Sequence, residues 1–151
     1  MYGYEWTEEY GIFRLTVNAK IQKEIRPVFH DELDFFGMDE FWDYPKDTDA
    51  PLLWAEGIRR YVINGVCVAE AQGGAFYTKP VIKRLTGERL QLHPVDMERL
   101  YEVNRPLMIS LEQKAIHFIQ TQYDRFHSMR YEFVCAFSGG KDSLVLLDLV
   151  A

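Results

Sequence analysis

The sequence lacks a long apolar run and any segment typical of export. No run of apolar residues approaches the roughly 18 that a membrane-spanning helix needs. The first residues, MYGYEWTEEYG, contain neither the basic region nor the apolar region of a secretory signal. We therefore expect a cytoplasmic protein that does not bind a membrane.

Basic clusters are also absent, and the charge of the chain is acidic. The 17 lysines and arginines are outnumbered by 23 aspartates and glutamates, so the formal net charge is −6 at pH 7. Without a basic block, this charge does not support a broad surface for nucleic acid or an anionic membrane. A local basic groove stays open, because net charge says little about one face.

Cysteine and histidine are scarce. Cys67 and Cys135 each lie inside an apolar run, without a CxxC pair and without a histidine at ligand spacing. Both are predicted to be small buried hydrophobic residues, not metal ligands or nucleophiles. The four histidines are scattered: His30, His93, His117 and His127. We propose no metal site from this pattern.

The composition is that of a globular protein, and the hydrophobic period changes along the chain. With 151 residues, the chain can form one core, or one small domain and the beginning of another. Strand-like patterns precede helical ones, which predicts an α+β fold. The predicted parts are a strand-rich N-terminal module with a β-hairpin (1–92), a helical connector (93–130) and a final strand–turn–helix segment (131–151).

The N-terminal module contains clear strand signals. Residues 1–25 predict a β-hairpin, or a strand followed by a connector. Asn64 and Gly65 suit a two-residue type I′ turn, because both tolerate positive φ. This turn predicts three cross-strand pairs: Ile63–Val66, Tyr61–Val68 and Arg59–Glu70, the last an ion pair. A loop follows, with Gly73-Gly74 in a turn or bulge, and then a third strand near Val81 to Leu85.

Residues 25–57 are dense in aromatic and acidic side chains. Large rings bury large areas, so they predict an irregular segment packed on a core. A platform on which a ligand stacks is the alternative. The rings in question are Phe35, Phe36, Phe41, Trp42, Tyr44 and Trp54.

From Pro94 onward the hydrophobic period is helical. The segment VDMERLYEVN predicts a short helix with acids in its first turn. The segment RPLMISLEQKAIHFIQTQYDRFHSM predicts a second helix that packs an apolar stripe in a core. The stripe comprises Leu107, Leu111, Ala115, Phe118, Gln122 and Phe126.

The last nineteen residues, FVCAFSGGKDSLVLLDLVA, carry the strongest chemical pattern. The apolar run at 131–137 predicts a strand buried on both faces of a parallel sheet, and LVLLDLVA predicts a helix. A strand, a glycine-rich turn and a helix present free backbone N–H groups and a positive helix end to an anion. The predicted nucleotide-binding residues are Ser138, Gly139, Gly140, Lys141, Asp142 and Ser143.

The residue types in this loop fit a phosphate. Its glycines let the backbone approach closely, its serines supply hydroxyls and its lysine offsets phosphate charge. Asp142 would repel a polyphosphate, so we predict that it caps the helix, orients the loop or binds Mg²⁺ carried by the nucleotide. The loop is not a Walker A motif, because Asp142 follows Gly140-Lys141 and no glycine stands five residues before Gly140. A GxGxxG fingerprint is absent too.

The segment FSGGKDS, between an apolar run and an apolar helix, resembles the pyrophosphate-binding loop of the adenine nucleotide alpha hydrolase superfamily, the PP-loop ATP pyrophosphatases. Members of that superfamily cleave ATP between the α- and β-phosphates. They activate a substrate as its adenylate and release pyrophosphate. The resemblance implies ATP or a related adenine nucleotide as the ligand, with Mg²⁺ carried by the nucleotide.

A second resemblance covers most of the chain from about residue 25. The segments ELDFFG, FWDYPK, PLLWAEGIRRYVINGVCVAEA, and LHPVDMERL through SGGKDSLVLLDLV are similar to prokaryotic proteins of the phosphoadenosine phosphosulfate reductase family. The intact Lys-Asp of the loop looks like the ATP-using relatives, such as the sulfate adenylyltransferase small subunit and the DNA phosphorothioation sulfurtransferase. That likeness implies a transferase in sulfur metabolism. The alternative is a sulfonucleotide (PAPS or APS) reductase, although that class relies on a C-terminal cysteine segment without a counterpart here.

These resemblances imply an N-terminal fragment of a longer enzyme, in which residues 131–151 are the start of a truncated doubly wound α/β nucleotide-binding domain. A doubly wound domain needs several more strands and helices, so we expect this chain alone to be inactive and to bind ATP weakly or not at all. The strand at 131–137 is expected to pair with the N-terminal module or with another copy, or to be poorly ordered. A third hypothesis is a non-catalytic module, 1–92, that binds a protein partner or nucleic acid through its aromatic segment.

Overall fold

The computed structural model describes residues 2–19, 24–57, 59–74 and 78–151. These residues form both helices and β-sheets, which confirms the α+β class. Contacts divide the chain into two units, Met1–Asn104 and Arg105–Ala151. The boundary between the units falls inside the segment 93–130 that the sequence assigns to a connector. No helix in the described ranges is both long and apolar enough to cross a bilayer.

The strands of the first unit form three sheets. Strands β1 and β2 form an antiparallel hairpin, and β4 pairs with β9 in parallel. The largest sheet is antiparallel and five-stranded, in the order β3-β5-β6-β7-β8. The strand bounds are β1 Gly3–Thr7, β2 Ile12–Thr16, β3 Ile25–Val28, β4 Trp42–Asp43, β5 Leu53–Glu56, β6 Arg60–Ile63, β7 Val66–Gln72, β8 Val81–Arg84 and β9 Leu90–Gln91.

Two strand predictions are confirmed by these sheets. The β1–β2 hairpin lies within residues 1–25, although 20–23 of the predicted connector fall outside the described residues. The predicted third strand is β8, which pairs with β7. Gly73 and Gly74 both adopt positive φ, of 79° and 81°, as a turn after β7 requires. Residues 75–77 of the predicted loop are outside the described part of the chain.

The Asn-Gly turn forms as predicted. Asn64 has a φ of 50° and Gly65 a φ of 76°, and the flanking Ile63 and Val66 are paired. These two positive φ values match the type I′ turn, whose twist follows that of the strands it joins. The sequence therefore determines the position of this hairpin.

Further from the turn, the predicted register is wrong by one residue. A β-bulge between Tyr61 and Val62 leaves one extra residue on β7. The observed pairs are Tyr61–Ala69 and Arg60–Glu70. The ion pair is consequently made by Arg60, whose Nε lies 3.3 Å from Glu70 Oε1. Arg59 instead donates from Nη1 to the Gly73 carbonyl at 2.7 Å.

Gly65 is needed for space as well as for backbone conformation. A Cβ atom at this position would lie 2.7 Å from the Trp6 ring. We expect Gly65→Ala to lower the free energy of unfolding by about 2 kcal/mol, through φ strain and this clash. Gly11→Ala should cost about 1 kcal/mol, because Gly11 has positive φ but no neighbour within 4 Å of such a Cβ. Urea denaturation of the three proteins measures both differences.

The control for this series is Gly87→Ala. Gly87 has neither a positive φ nor a neighbour within 4 Å of an added Cβ. Its substitution should change stability by less than about 0.5 kcal/mol. Equal losses at Gly65 and Gly11 would show that the Trp6 contact contributes nothing.

The core of the first unit lies on the five-stranded sheet. The aromatic and acidic segment covers it with helix α1 (His30–Phe35), a 3₁₀ turn (Met38–Glu40) and β4. Leu33, Met38 and Trp42 from this segment are buried with Val28 and Leu53 of the sheet. The prediction that the segment packs on a core is confirmed. The prediction that it is irregular is wrong in part, because β3, α1, β4 and β5 lie within 25–57.

A single helix, α2 (Met97–His127), replaces the two helices that the sequence predicts. Pro106 lies inside it, so the predicted division between a helix that ends at 104 and a second that begins at 105 is wrong. Proline removes one helical hydrogen bond, but its φ is compatible with a helix. Asn104 stabilises the preceding turn, since its Nδ2 donates to the Leu100 carbonyl at 2.9 Å.

The predicted burial of the α2 stripe is also wrong. Among the described residues of α2, only Asn104 is buried. Phe118 is 64% exposed, and the other members of the stripe are half-buried. Helical periodicity indicates which face is apolar, but it does not supply a surface that covers that face.

In the second unit, residues 131–137 do not form the predicted strand. No described residue pairs with this segment in a sheet, and Val134 is 89% exposed. Aromatic contacts hold the segment to α2 instead: ring centroids are 5.4 Å apart for Tyr123–Phe133 and 5.9 Å for Phe126–Tyr131. An apolar run suits a buried strand only where a neighbouring strand accepts its hydrogen bonds. Helix α3 (Lys141–Val150) then follows.

Candidate phosphate-binding loop

The glycine-rich segment becomes a tight turn that leads into α3. Gly139 has a φ of 77°, a left-handed conformation that glycine adopts without strain. Gly140 is the N-cap residue, with φ −81° and ψ 163°, and its carbonyl accepts the first helical hydrogen bond from Leu144 N at 3.1 Å. The N–H groups of the first helical turn have no acceptor inside a helix. The loop therefore presents backbone donors at the positive end of α3.

The two serine hydroxyls close the loop. Ser143 Oγ donates to the Gly140 carbonyl at 2.8 Å. Ser138 Oγ donates to Ser143 Oγ at 3.3 Å, so the first and last residues of the predicted site meet. These contacts fix the turn without using the backbone N–H groups.

The two charged residues of the loop are exposed. Lys141 and Asp142 occupy the first two positions of α3, and no ion pair to either is found among the described residues. Asp142 is not the helix cap, since Gly140 holds that position, so this part of the prediction is wrong. Its carboxylate interacts favourably with the helix dipole and can also face a cation carried by a ligand.

The arrangement has the chemistry of an anion site. Free N–H groups, a helix dipole and a lysine ammonium attract a phosphate, and hydroxyls add hydrogen bonds. Gly139 and Gly140 have no side chains to obstruct a ligand. All six predicted residues lie in this one turn, and all are exposed except Ser143, which is half-buried.

Cysteines are the other residues that the sequence offers for chemistry. Cys67 is a free thiol in the first unit and Cys135 a free thiol in the second, and both are half-buried, so the prediction of full burial is wrong. In the part of the chain that is described, no three histidine, cysteine or acidic residues converge as a metal site would require.

Sequence reasoning missed a charged network in the first unit. The guanidinium of Arg26 donates to both carboxylate oxygens of Glu32, each at 2.6 Å. The hydroxyl of Tyr61 donates to Glu32 Oε1, also at 2.6 Å. No local motif signals the contact between Glu32 and Tyr61, because 29 residues separate them. The network joins α1 to the buried centre of the sheet.

Glu32 makes the stability of the first unit depend on pH. Burial alone would raise the pKa of the Glu32 carboxyl, but hydrogen bonds from Arg26 and Tyr61 outweigh it and lower the pKa below 4.5. A lowered folded-state pKa stabilises the protein above the ordinary pKa, and this stabilisation is lost as pH falls through the folded value. We expect Glu32→Gln to cost about 1–2 kcal/mol at pH 7 and less at about pH 4, where the stabilisation has begun to be lost.

Urea denaturation at both pH values measures this effect. Glu88→Gln is the matched control, because Glu88 is exposed. The control should differ from the wild type by less than about 0.5 kcal/mol at either pH. A Glu32→Gln loss that is the same at both pH values would contradict the role of the carboxylate charge.

Comparisons with protein-family models, with curated proteins and with solved structures found no match. The chemistry of this chain is therefore inferred from its residues and their geometry. The best supported site on these grounds is the loop at 138–143.

Proposed function

We propose that residues 138–143 bind the β- and γ-phosphates of ATP in an enzyme that cleaves ATP between its α- and β-phosphates. One observation carries the proposal: Gly139, in a left-handed conformation, turns the chain directly into a helix whose first residue is an exposed lysine. Backbone donors and a cation then lie together at the positive end of α3.

The loop would act on the leaving group of this reaction. When an acceptor attacks the α-phosphorus, negative charge develops on the departing pyrophosphate. Prepositioned N–H groups and the Lys141 ammonium stabilise that charge without reorganising. Mg²⁺ carried by the nucleotide would neutralise further charge, with Asp142 as the carboxylate available to it. The acceptor in this proposal belongs to sulfur metabolism or sulfur transfer, as the likeness to ATP-using members of the phosphoadenosine phosphosulfate reductase family implies.

The proposal assigns phosphate binding to these six residues and nothing more. Adenine, ribose and the acceptor have to be recognised by other groups. A loop that contacts only phosphates gives a weak complex, so we expect a dissociation constant for Mg·ATP on the order of 1 mM.

Backbone amide shifts in NMR titrations with Mg·ATP and with pyrophosphate test the assignment. Both ligands should shift the amides of residues 139–144, and Lys141→Ala should weaken binding about tenfold through loss of the ammonium. Lys114→Ala is the matched control, because Lys114 is an exposed lysine in α2. Equal binding by Lys141→Ala and the wild type would contradict the proposal.

AMP distinguishes the proposal from the sulfonucleotide reductase alternative. AMP lacks the β- and γ-phosphates, so it should shift these amides far less than ATP does. A reductase recognises a nucleotide with a single 5′-phosphate that carries sulfate. Stronger binding of AMP than of ATP would therefore favour the reductase.

A further inference from the structure

The first unit contains a pocket that the phosphate loop does not explain. Its volume is about 280 Å³, near the lower end of the range for small-molecule sites. The tip of the β1–β2 hairpin, the β6–β7 turn and the start of α2 all contribute to its lining. The buried side chains of Leu53 and Val62 are among the apolar residues that line it.

Three aromatic residues, Trp6, Tyr10 and Trp54, also line the pocket. The buried ring of Phe13 contacts Trp6 and Trp54 edge to face, at centroid distances of 5.4 and 6.0 Å. Gly65 leaves space for Trp6, because a Cβ atom at position 65 would lie 2.7 Å from the Trp6 ring. Both indoles are therefore positioned before any ligand arrives, which reduces the entropic cost of binding.

The exposed polar lining combines hydrogen-bond donors and acceptors with almost no net charge. Asn64 and Gln91 contribute amides, and His93 contributes an imidazole. Asp96 and Arg99 contribute opposite charges. Asp96 Oδ1 accepts a hydrogen bond from Arg99 N at 3.0 Å, and the Arg99 guanidinium lies 5.7 Å from the centroid of the Tyr10 ring. Neighbouring Glu8 and Glu9, in the turn beside Tyr10, add negative charge. This charge pattern disfavours a phosphate.

The geometry points to a binding site for an uncharged nucleoside or free nucleobase in this pocket. Indole and phenol rings can stack on any nucleobase, because every base has a π-face. A base edge alternates donors and acceptors, which suits the amides of Asn64 and Gln91. The near-neutral lining and the adjacent glutamates select against the phosphates of a nucleotide. This site is independent of the loop at 138–143.

Tryptophan fluorescence can report binding directly. Trp6 and Trp54 line the pocket, whereas Trp42 is buried in the core and does not. Adenosine, guanosine, cytidine and uridine are titrated into the full chain, with excitation at the red edge of indole absorption. We expect at least one nucleoside to quench fluorescence with a dissociation constant on the order of 0.1–1 mM.

Asn64→Gly is the sharpest variant, because glycine keeps the positive φ of the turn and removes only the amide. It should weaken nucleoside binding about fivefold. Arg105→Gln is the matched control, since Arg105 is exposed on α2 and does not line the pocket. Lys141→Ala should also leave nucleoside binding unchanged, which separates this site from the phosphate loop.

Three results would overturn the inference. The first is no quenching by any of the four nucleosides. The second is tighter binding of AMP than of adenosine, which would indicate an anion site. The third is equal quenching by benzyl alcohol, which has a ring without a hydrogen-bonding edge and would indicate an unspecific apolar pocket.

Discussion

Replacing Trp42 with alanine is expected to lower the free energy of unfolding of the first unit by about 3–5 kcal/mol. The Trp42 side chain is 1% exposed and is the largest fully buried side chain in the described residues. It lies in the core cluster with Leu33 and Met38, on the short strand that pairs with Leu90. Its removal leaves a cavity where α1, the 3₁₀ turn and the sheet meet.

Trp42→Phe keeps an aromatic ring in the core, whereas Trp42→Ala removes the ring together with most of the side-chain volume. The Trp42 Nε1 is buried and has no acceptor among the described residues, so phenylalanine removes an unsatisfied donor. We expect Trp42→Phe to cost less than about 2 kcal/mol. Urea denaturation followed by circular dichroism measures both variants without depending on the lost fluorophore.

Phe118→Ala is the control for the Trp42 series. Phe118 is 64% exposed on α2, and alanine is the better helix former. Its substitution should change stability by less than about 0.5 kcal/mol. A Trp42→Ala loss below about 1 kcal/mol would show that the segment from α1 to β4 is not part of the cooperative core.

Local backbone chemistry explains which parts of the fold were predictable. Asn64-Gly65 marks a turn by residue type alone. A strand is indicated by the partial alternation of Ile12, Phe13, Leu15 and Val17. The bulge at Tyr61 and Val62 has no comparable signal, so the register error begins there. A bulge is set by how side chains pack on both faces of the sheet, and pairwise patterns along the chain do not contain this information.

Long-range partners explain the errors in the second unit. Residues 131–137 have the composition of a buried strand, and the stripe on α2 has the period of a core helix. Each pattern indicates the environment that a segment can occupy. Whether the segment is buried depends on a second surface that packs against it. In the described residues the 131–137 segment contacts aromatic rings of α2 and no strand.

The two candidate sites also differ in how far the sequence predicts them. The loop at 138–143 is contiguous, so its residues and its glycine conformations follow from a short motif. The nucleoside pocket combines Trp6, Trp54, Asn64 and Arg99, which come from separate parts of the chain. Only folding brings these four residues together, and their spacing in the sequence does not indicate the pocket. The sequence signal nearest to this pocket is the Asn-Gly turn, whose Gly65 leaves room for Trp6.

Asn104→Leu is expected to lower the free energy of unfolding by about 2–4 kcal/mol. Asn104 is 7% exposed, and its Oδ1 accepts a hydrogen bond from Leu15 N at 2.6 Å. Its Nδ2 donates to the Phe13 carbonyl at 3.2 Å. Leucine has a similar size but makes neither bond, so a donor and an acceptor of β2 lose their partner at about 1–3 kcal/mol each. The higher helix propensity of leucine offsets only a few tenths of a kcal/mol.

Hydrogen exchange distinguishes this mechanism from a general loss of packing. In Asn104→Leu the amide of Leu15, in the β1–β2 hairpin, should exchange much faster than in the wild type. Amides of the five-stranded sheet should change only with global stability. Gln113→Leu, at an exposed position of the same helix, is the matched control and should leave Leu15 unaffected. Unchanged protection of Leu15 in Asn104→Leu would contradict a direct stabilising role for the Asn104 amide. Faster exchange at Leu15 alone would show that one buried side chain anchors the start of α2 to the N-terminal hairpin.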